Sequence, residues 1–173
     1  MGASGVKERA AAGTAAAARA QKKKSAKARQ PEASRFRSAE ELREVLDALL
    51  RDVDSDPEVA SRLRAARIPH RLRFPDLGVV CDICPAKDPE RSFEWSFDDP
   101  GGPEPALILE MDSAQANRYL QGELNLVIAI ARREVKFSAS HPRAALAFLP
   151  LGDSLCRAYR RLVAERFPHL AAK

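Results

Sequence analysis

The apolar positions of the chain switch between two periods, and the switch points divide it into elements. Leu42, Val45, Leu46, Leu49, Leu50 and Val53 recur at offsets of 3, 4, 7, 8 and 11, the spacing of one helix face. Ser38-Ala-Glu-Glu41 ahead of them fits a capping box, in which the serine oxygen and the glutamate each satisfy a backbone donor. Ser55-Asp56-Pro57-Glu58 starts a second, short helix carrying Val59 and Leu63, which Ile68-Pro69 ends. The period then falls to two. Leu72 and Phe74 alternate with Arg71 and Arg73, a turn at 75–78 leads into the run Val79 to Cys84, and Phe93, Trp95 and Phe97 alternate with Ser92, Glu94, Ser96 and Asp98. The last pattern predicts a strand with three rings on a dry face and polar groups on a wet one. Asp99-Pro100-Gly101-Gly102-Pro103 reads as a hairpin connection into a fourth strand, whose inner face carries Leu107, Leu109 and Met111.

Helical spacing returns at Asp112 or Ser113, a cap for a helix carrying Ala116, Tyr119 and Leu120 that stops at Gly122. Leu124, Val127, Ile128 and Ala131 repeat next, with Leu126 and Ile130 widening the stripe. Val135, Phe137 and Ala139 predict a fifth strand. After His141-Pro142 the apolar Ala145, Leu146, Phe148 and Leu149 lead to Pro150, and Leu155, Tyr159, Leu162 and Val163 form the face of a last helix. From Ala106 to Leu151 the chain carries much apolar surface on short elements and no conventional catalytic constellation.

Charge separates the front of the chain from the rest. Residues 1–30 hold Lys7, Arg9, Arg19, Lys22, Lys23, Lys24, Lys27 and Arg29 against Glu8, a net +7, while the whole chain is +5, so the remainder is close to neutral at −2. The basic pI therefore belongs to the tail. Residues 1–34 contain no aromatic and almost no branched aliphatic residue, too little apolar area to offset the entropy of ordering, and are expected to be disordered. The folded domain is expected at 35–168, with 169–173 a short C-terminal tail. Lys22, Lys23, Lys24, Lys27 and Arg29 suit contact with an anionic membrane surface or macromolecule. Without aromatic residues among them to stack on bases, nucleic acid is not expected as a partner. No apolar run of membrane-spanning length and no secretory signal is present, which places the chain in the cytoplasm, where three cysteines do not make a disulfide framework.

The residue types that could carry chemistry each have a plainer role. Cys81-Asp82-Ile83-Cys84 is a CxxC, but on a strand its two thiols point to opposite faces, and no second ligand pair stands at zinc spacing. Glu110, Asp112 and Glu134 lack a third group to orient them as an acid and base. His70 and His141 stand beside prolines at element ends, and His169 lies in the C-terminal tail. No catalytic residue, metal ligand or cofactor is assigned. The aromatic stripe is core first, and in a sharper reading some of its rings line a ligand cavity.

This order of elements resembles the sterol carrier protein type 2 domain, in particular its small bacterial stand-alone members. The likeness rests on Ala106-Leu-Ile-Leu-Glu-Met-Asp112, Tyr119-Leu-Gln-Gly-Glu-Leu-Asn125, Val135-Lys-Phe-Ser138 and Leu146-Ala-Phe-Leu-Pro-Leu151, and extends over about Ser38 to Arg166. The glycines that usually flank the fifth strand are absent here, so its entry turn must differ. The resemblance implies an α/β (α+β) fold: two layers, a five-stranded, mostly antiparallel sheet with helices on one face, and an apolar tunnel between them. It implies non-enzymatic binding and carriage of an apolar lipid, fatty acyl or sterol-like, by a monomer. The candidate tunnel residues are Phe93, Trp95, Phe97, Leu107, Leu109, Met111, Tyr119, Leu126, Ile130, Phe148 and Leu149. The alternative is a regulatory or accessory module with a vestigial cavity, its basic tail contacting an anionic macromolecule or membrane.

Overall fold

The structure, a computed structural model, describes residues 35–57, 59–61, 67–88, 90–99, 101, 104–140 and 152–172. The basic segment with Lys22, Lys23, Lys24, Lys27 and Arg29 lies outside the described residues, as do Leu63, His141, Phe148 and Leu149.

Helix α1, Ala39–Ser55, starts where the capping signal places it: Ser38 Oγ accepts from Glu41 N at 3.2 Å. The second half of the box is different, because the Glu41 carboxylate accepts from Arg37 N and lies 2.9 Å from His169 Nε2. Leu42, Val45, Leu46, Leu49, Leu50 and Val53 are all buried, as their spacing predicts. Asp56 follows as the cap of the next turn, its carboxylate accepting from Val59 N at 3.2 Å and its carbonyl from Ala60 N at 2.8 Å.

Five strands form one sheet. β1 (His70–Phe74) is central, β2 (Val79–Pro85) pairs antiparallel with it, and β3 (Phe93–Phe97) pairs antiparallel with β2. On the other side β4 (Leu107–Glu110) runs parallel to β1, and β5 (Lys136–Ala139) pairs antiparallel with β4. The order β3-β2-β1-β4-β5 overturns the hairpin read at 99–103, since β3 and β4 are not neighbours. A proline- and glycine-rich stretch announces a change of direction but not the next partner. Here the chain recrosses the sheet and is seated beside β1 by Ala106 N, which donates to Pro69 O at 2.8 Å.

The register puts His70, Leu72 and Phe74 on the same face as Cys81, Ile83, Phe93, Trp95, Leu107 and Leu109. The opposite face is ionic. Arg71 holds Asp82 with two hydrogen bonds of 2.6 and 3.0 Å, and Glu110 pairs with Lys136 and Arg73. Cys81 therefore faces the helices, fully buried, while Cys84, opposite Glu94, faces away.

The remaining helices cover the inner face. α2 (Ser113–Gln121) is capped by Asp112, whose backbone N–H donates to Gln115 Oε1 at 3.0 Å, and its first turn is tied to the β1–β2 turn by Ser113 Oγ donating to Asp76 Oδ2 at 2.6 Å. It ends at Gly122 with φ +84°. Glu123 N reaches back to Arg118 O at 2.8 Å and Gly122 N to Tyr119 O at 2.9 Å, the paired closure of a Schellman motif. α3 (Leu126–Ala131) closes in the same way, Glu134 N to Ala129 O and Arg133 N to Ile130 O at 2.9 Å each, but with Arg133 at φ +59° in the position glycine normally takes. The missing glycine before the fifth strand is thus met by an arginine in the left-handed region.

α3 departs from the expected stripe. Leu126 and Ala129 are buried, whereas Val127 and Ile128 are 62% and 49% exposed. A helix of little more than one turn that is apolar on every side carries no signal for which face turns inward. Its orientation is fixed by Asn125 Oδ1 accepting from Ile128 N at 3.1 Å and by the Arg133 closure.

α4 (Gly152–Arg166) packs against α1 and α2 and leads to a 3-10 turn, Pro168–Leu170. The end of the chain, read as a tail from 169, is anchored as far as described. Leu170 is fully buried, and its carbonyl accepts from Asn117 Nδ2 at 3.1 Å and Gln121 Nε2 at 2.8 Å; Tyr159 donates to Asn117 Oδ1 at 2.6 Å. A single leucine after Pro-His gives no periodic signal, and the anchoring carbonyl is invisible in side-chain pattern.

Candidate apolar ligand cavity

The helices and sheet do not close completely. Between them lies a cavity of about 90 Å³. α1 supplies Leu46, Leu49, Leu50 and Val53 to one wall. The sheet supplies His70, Leu72 and Phe74 from β1, with Ile83, Phe93 and Leu109 from its neighbours. Met111, Ala116, Tyr119 and Leu120 close the side toward α2, and Leu155 comes from α4. The alternation of β1 and the helical stripe of α1 are the reason these side chains converge, since each pattern places its apolar members on the face that meets the other.

Two side chains of this described lining carry polar atoms, His70 and Tyr119. His70 Nδ1 lies 3.1 Å from Ile68 O. Loss of hydration pushes its pKa below the usual histidine value, opposed by that backbone contact and by the Asp82 charge, so the ring is neutral at pH 7. The Tyr119 hydroxyl has no hydrogen-bond partner among the described residues. Burial in these apolar surroundings, with smaller contributions from Cys156 and Asp153, pushes its pKa up to about 12. The Cys81 thiol, on the same sheet face, is likewise pushed to about 12, mainly by burial.

The sequence candidates fall into distinct places. Phe93, Leu109, Met111 and Tyr119 line the cavity. Leu107 and Leu126 lie in the buried core and Phe97 and Ile130 pack against it, all four outside the described lining. Trp95 goes elsewhere. Its Nε1 donates to Asp47 Oδ1 at 3.0 Å, and the guanidinium carbons of Arg91 and Arg51 stand 5.0 and 5.8 Å from its ring centroid, within cation–π range. These groups, with Asp54 and Ser55, form a separate polar surface groove on the other side of α1. The Arg51 hydrogen bond, joined by that from Trp95, holds the Asp47 carboxyl below the usual carboxylate range.

The contribution of α1, His70, Leu72 and Leu155 to the cavity was not read from the sequence. The stripes that contain them were legible, but a stripe says which face is buried and not whether that face closes. Among the described residues, no group of three His, Cys, Asp or Glu side chains could hold a metal ion, and no helix is long and apolar enough to cross a membrane.

No protein-family model matches the chain, and no curated protein does. Solved structures do. The sterol carrier protein domain 2 of Helicoverpa armigera matches with a TM-score of 0.50 and 16% identity, over 66% of this chain and 87% of that one. The ubiquinone synthesis protein UbiJ-SCP2 gives a TM-score of 0.48 with 11% identity, over 65% and 88%. The stereoselective inverting sec-alkylsulfatase Pisa1 from Pseudomonas sp. gives 0.43 with 12% identity over 51% of this chain, which spans only 13% of that enzyme's length. At 16% identity the Helicoverpa match speaks to architecture alone. The chain has the mixed α/β fold of the sterol carrier protein 2 domain, with a five-stranded, mostly antiparallel sheet.

Proposed function

We propose that this domain binds and carries an apolar lipid, without covalent chemistry, in the cavity between α1 and the sheet. The observation that carries the reading is the lining: the described wall is aliphatic and aromatic apart from one imidazole and one phenol, on a fold whose sheet and helices otherwise pack closely. Ligand methylenes placed against such an apolar lining gain about 25 cal/mol per Å² of apolar surface removed from water. The space of about 90 Å³ is smaller than the roughly 150 Å³ of an engineered cavity that accepts benzene. A chain of ordinary lipid length therefore enters by displacing side chains, of which the unbranched, adaptable Met111 is the readiest to move. Burial also holds the Cys81 thiol on this sheet face protonated, so it offers no nucleophile beside the lining.

Native mass spectrometry of the gently purified full-length protein tests this reading. A co-purified apolar adduct, released on denaturation, is the expected result. A clean apo mass, together with no uptake of an added eleven-carbon ketone or alkane, would overturn it.

A further inference from the structure

The cavity is apolar but not featureless: its lining includes Tyr119, whose hydroxyl has no hydrogen-bond partner among the described residues and has a defined setting. Tyr119 lies near the end of α2, with its backbone carbonyl accepting from Cys156 Sγ at 3.3 Å, so the base of the side chain is fixed against α4. Its hydroxyl reaches the start of that helix, where a Cβ on Gly152 would stand 3.2 Å from the phenol oxygen. A larger residue at 152 would press on this oxygen; glycine leaves the space beside it clear. The hydroxyl thus sits where the apolar lining meets the first turn of α4, with no partner among the described residues.

The charges around it decide what it would accept. A phenol that keeps its proton is a donor in search of an acceptor oxygen. Among the described residues, Asp153 in the first turn of α4 is an acidic side chain close enough to help push the phenol's pKa up. His70, the other polar group of the lining, is neutral at pH 7. No Lys or Arg lines the described cavity. An ionised carboxylate entering here would be desolvated without a counter-ion in the described lining, which is costly, whereas a neutral carbonyl would lose little and gain a hydrogen bond.

From this geometry we propose that Tyr119 is the polar anchor of the cavity and that it selects an uncharged apolar chain bearing a hydrogen-bond-accepting oxygen, such as a ketone or ester, over a fatty acid anion. The inference rests on the lipid-binding reading and narrows it to a ligand class.

Equilibrium partition of radiolabelled 2-undecanone, undecanoate and undecane onto the full-length protein at pH 7.5 tests it, each corrected for its own transfer from water. The ketone is expected to bind about five- to tenfold more tightly than the alkane, and undecanoate more weakly than either. In Tyr119→Phe, whose lost hydroxyl leaves no broken hydrogen bond among the described residues, ketone affinity should fall about five- to tenfold toward that of the alkane, which should not change. Undecanoate binding as tightly as the ketone to the wild-type protein, or Tyr119→Phe weakening ketone and alkane equally, would overturn the anchor while leaving lipid binding intact. Failure of all three probes to bind would remove both.

Discussion

The two sides of helix α1 present opposite surfaces to the same sheet. One side carries Leu46, Leu49, Leu50 and Val53 into the cavity, where they meet Phe93 of β3. The other carries Asp47, Arg51, Asp54 and Ser55 to the groove around Trp95, two residues along the same strand. Phe93 and Trp95 share a face of the sheet and touch, their ring centroids 5.6 Å apart, yet one is 3% exposed in the apolar wall while the other ends in a hydrogen bond to a carboxylate. The difference teaches that α1 crosses the sheet near its β3 edge, so that a single aromatic stripe is divided between an interior and a rim. The indole suits the rim, having an apolar body and one polar tip.

The largest effect expected from breaking this arrangement is on the cavity side. Leu49, 2% exposed, loses its side chain in Leu49→Ala; the domain should lose about 2–5 kcal/mol in urea unfolding while the cavity gains volume for bulkier apolar probes. A loss below about 1 kcal/mol would mean that this wall already collapses freely. On the groove side, Asp47→Ala should cost only about 1 kcal/mol, since the site is open to water and each lost hydrogen bond is worth little net. Trp95 is the single tryptophan of the chain, so its emission should shift in this variant with lipid uptake unchanged. Altered uptake would show that groove and cavity are coupled.

Acid should distinguish the two sides as well. Burial places the folded pKa of His70 below its ordinary 6.5, so as pH falls from that value the unfolded chain takes up a proton that the folded one resists. The stability this neutral histidine permits is fully present above pH about 6.5 and declines through the window below it. Urea midpoints in this window should fall for the wild-type protein and flatten in His70→Leu. Asp47 behaves as a carboxylate with a lowered pKa: its contribution is full above pH about 4 and is lost only in more acidic solution, so Asp47→Ala should not alter the limb near pH 6. The smallest effect lies away from both sides. Arg133 stands at φ +59°, and Arg133→Gly should stabilise the domain by about 0.5–1 kcal/mol, read as a rise in urea midpoint, by relieving left-handed strain.

Local patterns made much of this legible. Five strands, the capping serine of α1, the Gly122 closure and the opposite facing of Cys81 and Cys84 follow from periodicity and from the few residues that tolerate special backbone angles. Four of the named cavity residues were reachable by the same route, because a stripe at strand or helix spacing marks a buried face. Trp95 lines the groove and not the described cavity wall, although its spacing matches Phe93, because only the position of α1 separates them. Val127 and Ile128 were assigned to a buried face that a wholly apolar short helix cannot specify, and the Leu170 anchor depends on a backbone carbonyl.

The sequence by itself determined which segments are helix or strand and which side chains leave water, because these depend on contacts within a few residues and on the periods of the two backbones. Tertiary structure alone decided that β4 returns to lie parallel beside β1, that α1 stops short of sealing the sheet, and that the Tyr119 hydroxyl lies beside Gly152. These are relations between residues distant in the chain. The apolar surfaces involved would be buried equally well by closing on one another, so only their placement leaves a space and sets one hydroxyl at its edge.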